Sequence, residues 1–541
     1  MPNPVSMMER EESAKRISGA ALWTTLAVYS ILLLVLAYHH EMWRDEVRAF
    51  SVAINAASWG QLVTDLRAEG HPILWYVVLR VGYAVSHSKL VLPAAGIVVA
   101  IGAAYVILRH APFPVWLRVL ALFGAFLGYE LSVVSRNYGI GVLFMLLACI
   151  AYSSRRERPW LLALMIALTA NTSVHAAMAS LVLTAYWLSD LFDSETRPAI
   201  FSYAGIASVL LALIGVGLAL ATARPTPDMA WAFSSSKLDV GAVLRSILVD
   251  PGKGLIGYRG ASIAAAADLP WRFVHVDAMA AARIIVNGCL GWLAWSLRGS
   301  WRALIALLIT VVGFEIFFRN VYTAGLRHEG IVLFLILAIC WMTVMRSEHP
   351  SMLSRRIALG LLPLFAVQAA ALPVMAVRYI RYQESNSKEY GKFIRTNPAY
   401  RDAILVGEPD FMMESMPYYV ANRIYMPRQG EFHYRVYFDN GTKRTDVLSL
   451  DRLVAISDSI ACVKRVPVLL AMGYPEFETV PQGATHPLKK GTLFRWDSTS
   501  WGSLHLRQPD GRHPVATFPY ATTDEIYRIY QLSCGKAKAS D

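Results

Sequence analysis

Two adjacent carboxylates, Asp45 and Glu46, are the side chains of this sequence best suited to move a proton, because a positioned carboxylate can act as a general base. Neighbouring helix positions point about 100° apart, so a helical Asp-Glu pair suits two different roles better than one shared proton. The other interpretation is a helix N-terminal cap in which the carboxylates bind Arg44 or Arg48. Both interpretations require a helix that begins here.

An amphipathic helix is predicted to hold this carboxylate pair. Trp43, Val47, Phe50 and Ile54 recur at spacings of four, three and four residues, which is one stripe of a helix lying along a membrane surface. The stripe places the pair at the boundary between lipid and water.

The composition requires a membrane around much of the chain. Of its 541 residues, 55% are hydrophobic and only 17% are charged, which excludes a soluble, disordered or collagen-like protein. The net charge of +12 comes from Lys and Arg that punctuate apolar runs, so no nucleic-acid partner is predicted. The five cysteines show no zinc or redox spacing, although Cys462 and Cys534 could form a disulfide.

Hydropathy predicts a polytopic α-helical membrane protein with about 11 to 13 transmembrane helices. About twelve apolar segments stand near 18–38, 71–86, 90–108, 115–131, 138–152, 159–174, 176–189, 199–221, 281–297, 303–318, 330–345 and 357–377. The segment 71–86 is short and carries Arg80, so we expect it to be re-entrant or interfacial.

Short loops rich in arginine predict which ends of these segments face the cytosol. Such segments contain Arg10/Lys15/Arg16, Arg109/Arg118, Arg155/Arg156/Arg158, Arg298/Arg302 and Arg346/Arg355/Arg356. The opposite, outer side then receives the outer loop 39–70, residues 135–138, 171–175 and 322–329, and the loop after Ala221. Polar groups gathered in this way on one side of a membrane commonly mark a substrate path.

A separate soluble α/β domain is predicted for the tail. Residues 1–378 form the membrane module and residues 379–541 the tail, on the periplasmic or other extracytoplasmic side of the inner (plasma) membrane. The tail has no spanning run, and β-prone stretches at 403–406, 417–425, 433–438, 466–471 and 493–496 accompany a helix-like piece at 523–532.

The order of motifs resembles the GT-C glycosyltransferases, membrane enzymes that include protein O-mannosyltransferases and lipid A aminoarabinose transferases. The resemblance rests on Trp-Arg-Asp-Glu at 43–46 after an apolar run, Gly-His-Pro-Ile-Leu-Trp-Tyr at 70–76, Ser-Arg-Asn-Tyr at 135–138, and the C-terminal domain. Ile73 stands where the second Pro of the family pattern is usual, and the acidic residue commonly found just before the Arg motif is absent.

The resemblance implies transfer of a sugar from a polyprenyl-phosphate donor to a glycolipid, polysaccharide or protein hydroxyl on the outer face. Asp45 would be the general base of an inverting reaction, and Glu46 would orient the acceptor or hold the base. Arg136 and Arg327, with His328, would bind the phosphate that leaves, because a guanidinium matches phosphate oxygens.

Substrate contacts are expected from the remaining polar groups of the outer side, which are His71, Tyr138, His175 and Tyr322. Other interpretations stay open for several of these residues. Arg136 could be a snorkelling interfacial anchor, Arg327 and His328 a positively charged helix start, and His71 and His175 hydrogen-bonded structural histidines. No obligatory metal is expected, although carboxylates could bind a divalent cation.

Two other functions compete with the enzyme interpretation. A transporter or flippase of lipid-linked sugars would line a path across the membrane with polar groups and would show repeated, broken helices. A non-catalytic envelope assembly subunit would leave the carboxylate pair without a chemical role.

Overall fold

The computed structural model describes residues 17–67, 69–224, 241, 244, 278–321, 325–437, 445, 447–473, 483–487, 493–495 and 514–534, with the backbone alone over 278–282, 486–487 and at 493. Tyr322 and most of the loop after Ala221 lie outside these residues. Internal contacts divide the chain into a helical unit, built from residues up to 39, 69–224 and 232–378, and a mixed unit, built mainly from 40–68 and 379–541.

The helical unit follows the predicted apolar segments closely. Its helices are Gly19–His39, Leu74–Ser86, Val91–His110, Val115–Leu122, Tyr138–Tyr152, Pro159–Ala170, Val174–Leu188, Arg197–Phe201, Tyr203–Ala223, Ala278–Ser296, Trp301–Asn320, Leu326–Arg346 and Pro350–Arg381. A π-helical turn, Phe126–Glu130, and a 3-10 turn, Ser189–Phe192, interrupt the series.

Six helices of the described residues are long and apolar enough to cross a membrane: Gly19–His39, Val91–His110, Tyr203–Ala223, Trp301–Asn320, Leu326–Arg346 and Pro350–Arg381. The chain is therefore a polytopic helical membrane protein, as predicted. Helix Leu74–Ser86 has 13 residues. At about 1.5 Å per residue it is shorter than the hydrocarbon core, so the re-entrant or interfacial placement stays our prediction for it.

Helix Leu326–Arg346 lies at the centre of the helical unit. Every residue from His328 to Val344 is buried, because this helix is apolar on almost all sides and its neighbours enclose it. Close helix crossings depend on residues without a Cβ. At Gly215, for example, a Cβ would come within 2.4 Å of the side chain of Ala167 on helix Pro159–Ala170.

Arginines predicted to share one side of the membrane converge at one end of this unit. Asp190 accepts hydrogen bonds from Arg155 at 2.6 Å and from Arg346. Arg346 also donates to the hydroxyl of Tyr152 at 2.8 Å. The helices that end at Tyr152 and Arg346 therefore place their C-termini together, which agrees with the predicted grouping of these arginines.

The mixed unit contains a sheet of six strands in the order β3-β2-β1-β5-β9-β8 and one of three strands in the order β4-β7-β6, within the described residues. The strands are β1 Ile404–Glu408, β2 Ile424–Met426, β3 Glu431–Phe432, β4 Val447–Ser449, β5 Val468–Met472, β6 Thr485–Pro487, β7 Leu493–Arg495, β8 Ala516–Phe518 and β9 Tyr527–Leu532. Strands β2, β1 and β5 are parallel, and β9 pairs antiparallel with both β5 and β8.

Both faces of the larger sheet are buried, which confirms an α/β region. Leu405 and Ile529 belong to the core on one face, and Val406 and Tyr530 to the core on the other. The helices of the unit are Arg44–Asn55, Trp59–Leu66, Ser387–Thr396, Met416–Tyr419 and Leu450–Lys464, with 3-10 turns at Pro398–Tyr400 and Asp410–Ser415. Cys462 and Cys534 form the disulfide that their positions allow.

Some local predictions for the tail were wrong. Residues 416–419 are helical, residues 433–437 are not a strand, and the helix expected over 523–532 is replaced by β9. Strand β9 pairs with β5 over five residues and is buried on both faces. Pairing with a strand distant in the sequence therefore overrides the local pattern.

Candidate functional site

Helix Arg44–Asn55 begins where the carboxylate pair predicts a helix. The side chain of Glu46 accepts a hydrogen bond from the backbone amide of Trp43 at 3.4 Å, which caps the first turn. Burial exceeds the single predicted stripe, since Glu46 and Arg48 are as buried as Val47 and Phe50. The N-terminal cap considered from the residue types is therefore present at Glu46.

Glu46 is held in a buried ionic chain. Its carboxylate lies 2.9 Å from His40 Nε2, and His40 Nδ1 lies 2.8 Å from the carboxylate of Glu384. Burial by itself lowers the pKa of His40, but the carboxylates of Glu46 and Glu384 raise that pKa well above its usual value. An imidazolium between two carboxylates fixes the start of the helix, and the holding role of Glu46 stays a prediction.

Asp45 differs from its neighbour because 42% of its side chain is exposed. Its carboxylate lies 3.9 Å from Arg44 Nε. The guanidinium of Arg44 in turn binds the carboxylate of Asp524, and its backbone amide donates to Glu525 at 2.8 Å. Asp45 is accessible and Glu46 is buried, so the two adjacent carboxylates lie in different environments.

Arg48 has a structural role that the sequence did not indicate. Its guanidinium binds Glu414 and donates to the carbonyl of Val436 at 2.9 Å, and the amide of Val436 donates to Glu414 at 2.6 Å. These partners are separated from Arg48 by more than 360 residues. No local pattern could reveal them.

In the helical unit, Tyr138, His175 and His328 form a cluster. The hydroxyl of Tyr138 lies 2.9 Å from His328 Nε2, and the rings of His175 and His328 stack with centroids 4.4 Å apart. Phe317 and Phe318 pack against His175. We name Tyr138, His175 and His328 the Tyr138 cluster.

The hydrogen bonds assign the tautomer of neutral His328. The backbone amide of Gly325 donates to Nδ1 at 2.8 Å, so Nδ1 is the acceptor and Nε2 carries the proton. Nε2 then donates to the hydroxyl oxygen of Tyr138. The phenolic proton of Tyr138 is therefore directed elsewhere, and this hydroxyl can donate to another group.

The N-termini of three described helices meet at the Tyr138 cluster. Tyr138 is the first residue of helix Tyr138–Tyr152, His175 the second of Val174–Leu188, and His328 the third of Leu326–Arg346. The cap of Ser173, whose hydroxyl accepts from the amide of Ala176 at 3.1 Å, starts the second of these helices. Helix N-termini carry partial positive charge, so their convergence favours an anion.

Arginines flank this cluster within the same unit. Arg136 Nη2 lies 3.2 Å from His71 Nε2, and because a guanidinium only donates, His71 Nε2 is the acceptor. The next residue, Asn137, donates to the carbonyl of Thr172 at 2.6 Å, which ties the Arg136 segment to the start of the His175 helix. The segments that precede helices Leu74–Ser86 and Tyr138–Tyr152 therefore bring His71 and Arg136 together as a pair.

Arg327 is placed one residue before His328 but faces a carboxylate. Its Nε lies 3.9 Å from Glu130, whose side chain is 10% exposed. Glu130 ends the π-helical turn Phe126–Glu130, and such turns are frequent at functional sites. A binding role for Arg327 must therefore be shared with this carboxylate.

The predicted residues thus fall into two sets that we describe separately. Asp45 and Glu46 belong to the mixed unit, and His71, Arg136, Tyr138, His175, Arg327 and His328 to the helical unit. Tyr322 lies outside the described residues. Within those residues no group of three or more His, Cys, Asp or Glu side chains is arranged to hold a metal ion.

Comparison with solved structures finds similar chains. This chain is similar to ArnT. The structure is the crystal structure of ArnT from Cupriavidus metallidurans bound to undecaprenyl phosphate, with 11% sequence identity and a TM-score of 0.48 over 97% of this chain and 100% of that chain. No protein-family profile and no curated protein matches the chain.

Proposed function

We propose that this protein is a membrane glycosyltransferase that moves a sugar from a polyprenyl-phosphate donor to a hydroxyl of a cell-envelope acceptor. One observation carries the proposal: three helix N-termini converge at the Tyr138 cluster, and Arg136 and Arg327 flank it. The leaving group of such a reaction is a lipid phosphate that gains negative charge as the glycosidic bond breaks. Fixed donors aimed at a developing charge lower the barrier most effectively in a site that excludes water.

Each phosphate-binding group has a distinct part in this proposal. Arg136 supplies a planar, charged guanidinium, and its contact with His71 orients this group. Tyr138 donates its phenolic proton to a phosphate oxygen, since His328 already supplies a hydrogen bond to the hydroxyl oxygen. His175 stacks on His328 and keeps its ring in place.

The acceptor half of the reaction is assigned to Asp45. Its carboxylate takes the proton of an acceptor hydroxyl while that oxygen attacks the anomeric carbon, and the bond to the phosphate oxygen breaks with its electron pair staying on the phosphate. Attack from the side opposite the leaving group inverts the anomeric centre. Exposure of Asp45, together with the buried chain from Glu46 to Glu384, supports this division between an acting and a holding carboxylate.

We also propose that the reaction needs no obligatory metal, because guanidinium groups and helix N-termini supply the positive charge that a divalent cation would otherwise provide. Activity that survives a chelator and is not raised by added magnesium or manganese would agree with this proposal. Loss of activity with the chelator, restored by a cation, would contradict it.

The mixed unit is proposed to lie on the extracytoplasmic side of the inner membrane. The disulfide between Cys462 and Cys534 supports this side, since disulfides persist in oxidising compartments. A reporter enzyme that works only in the cytosol, fused after residue 534, should be inactive. Activity of that reporter would overturn the placement.

The direct test is transfer by the purified protein. The protein in lipid nanodiscs receives a panel of polyprenyl phosphosugars together with envelope glycolipids, polysaccharide and protein acceptors, and the released polyprenyl phosphate is measured. Release that depends on an acceptor supports the enzyme. Movement of the intact donor across a vesicle membrane without release would favour a flippase instead, and neither result with any donor would favour an assembly subunit.

A further inference from the structure

A patch of tryptophan and arginine lies in the helical unit apart from the groups used above. It is formed where helix Ala278–Ser296 ends and on the first turns of helix Pro350–Arg381. We name it the Trp295 patch, and its members are Trp292, Trp295, Arg298 and Arg356. The two tryptophans are 42% and 44% exposed.

Guanidinium groups from different segments meet on one indole ring in this patch. Arg298 lies 4.4 Å and Arg356 lies 5.4 Å from the centroid of Trp295. Arg298 also donates to the carbonyl of Trp295 at 2.9 Å. Like charges gathered on one ring repel each other, so their neighbourhood favours a bound anion.

The patch is a fixed arrangement. The indole nitrogen of Trp292 donates to the carbonyl of Arg356 at 2.8 Å. At Gly360, one turn further along the same helix, a Cβ would come within 2.6 Å of the Trp292 ring, so the helices are in close contact. Arg298 and Arg356 are therefore presented together by packing rather than by chance side-chain orientation.

No carboxylate neutralises these cations within the part of the chain that the structure describes. Arg298 and Arg356 form no ion pair there, whereas Arg155 and Arg346 both bind Asp190. Exposed apolar surface adjoins the patch, since Leu359, one turn beyond Arg356, is 54% exposed. Exposed indole rings next to arginine and apolar surface are typical of the headgroup level of a bilayer.

We propose that the Trp295 patch binds the phosphate of an anionic glycerophospholipid, with Arg298 and Arg356 on the headgroup, the tryptophans beside the glycerol region, and acyl chains along the surface that includes Leu359. This site is distinct from the donor site proposed above and does not depend on it. Free inorganic phosphate is also an anion, but it has no apolar part to contact the exposed indole and leucine surface.

The test measures lipid binding to the purified full-length protein. Delipidated protein in a zwitterionic detergent is titrated with phosphatidylglycerol or phosphatidylcholine, and bound lipid is counted by native mass spectrometry. We expect preference for phosphatidylglycerol, and we expect the double variant Arg298→Gln, Arg356→Gln to bind it roughly tenfold to thirtyfold more weakly. Thermal unfolding in the zwitterionic detergent verifies that the variant is folded.

The control removes the same charge elsewhere in the helical unit, through Arg224→Gln with Arg319→Gln, both exposed side chains. Equal loss of binding in this control would show that the lipid responds only to the total positive charge of the protein, and it would overturn the proposal. Displacement of phosphatidylglycerol by millimolar inorganic phosphate would also overturn it in favour of a free phosphate site. If the double variant does not fold, Arg298→Lys with Arg356→Lys replaces it, and undiminished binding there contradicts recognition by the guanidinium forks.

Discussion

The hydroxyl of Tyr138 accepts a hydrogen bond from Nε2 of neutral His328 across 2.9 Å, because the amide of Gly325 already occupies Nδ1. This hydrogen bond leaves the phenolic proton of Tyr138 available to another acceptor, which the sequence position does not reveal. Substitution of Tyr138 is therefore the most direct test of the proposed phosphate site.

Replacing Tyr138 with Phe removes the donated hydrogen bond but keeps the ring against His328. We expect donor turnover to fall by roughly a hundredfold if the phenol donates to the leaving phosphate, since one preorganised donor has about that effect. The matched control is Tyr152→Phe at the other end of the same helix, where the hydroxyl accepts from Arg346. Equal losses in both variants would assign the effect to folding.

Asp45→Asn keeps the size of the side chain and removes its basicity. Acceptor-dependent transfer should fall at least about a hundredfold, the usual contribution of a general base, while donor binding stays unchanged. Asp402, an exposed carboxylate of the same unit, provides the control through Asp402→Asn. Full transfer by the Asp45 variant would reject it as the base.

Arg136→Lys separates charge from geometry at the phosphate site. A lysine keeps the positive charge but loses the planar fork, so we expect the donor to bind roughly tenfold more weakly, and Arg136→Gln to bind more weakly still. Binding is measured with a fluorescent polyprenyl phosphate. Wild-type affinity in both variants would assign Arg136 to anchoring at the membrane surface.

His40 makes stability depend on pH in a defined direction. Glu46 and Glu384 raise its pKa well above the usual value of 6.5, so its charged form stabilises the fold fully below that usual value and the stabilisation is lost as the pH rises through the raised pKa. Thermal unfolding of the wild type and of His40→Gln should therefore differ most at about pH 6 and converge at alkaline pH. A difference that is constant with pH would show that His40 stabilises through packing alone.

Gly139 allows the Tyr138 helix to begin where it does. A Cβ there would come within 2.1 Å of the carbonyl oxygen of Leu131, so Gly139→Ala must displace backbone. We expect a loss of about 1 to 3 kcal/mol in unfolding free energy and weaker donor binding, as for overpacking in a core. Gly217→Ala, with no atom within 4 Å of the added methyl, should be neutral or slightly stabilising.

The sequence predicts the membrane helices better than it predicts the pairing of strands in the mixed unit. The segment 138–152 coincides with its helix because a run of apolar residues requires one in a bilayer. The helix expected over 523–532 failed because β9 takes its partner from β5, more than 50 residues earlier. Local periodicity contains no information about such pairing.

For the site, grouping by side of the membrane placed Tyr138, His175 and His328 in one region, and the structure joins them. The contact partners of individual side chains could not be predicted from the sequence. The sequence could not show that Arg327 approaches Glu130, or that Arg48 binds Glu414, because those contacts follow from packing of segments far apart in the chain.

Helices Tyr138–Tyr152 and Leu326–Arg346 run in the same direction and are hydrogen-bonded at both ends. Tyr138 contacts His328 at one end, and Tyr152 contacts Arg346 at the other. A shift of one helix along the other by a single turn would break both hydrogen bonds. These two helices therefore move as one rigid element, and we expect an entry for the lipid tail of the proposed donor to form between helices that lack such a double attachment.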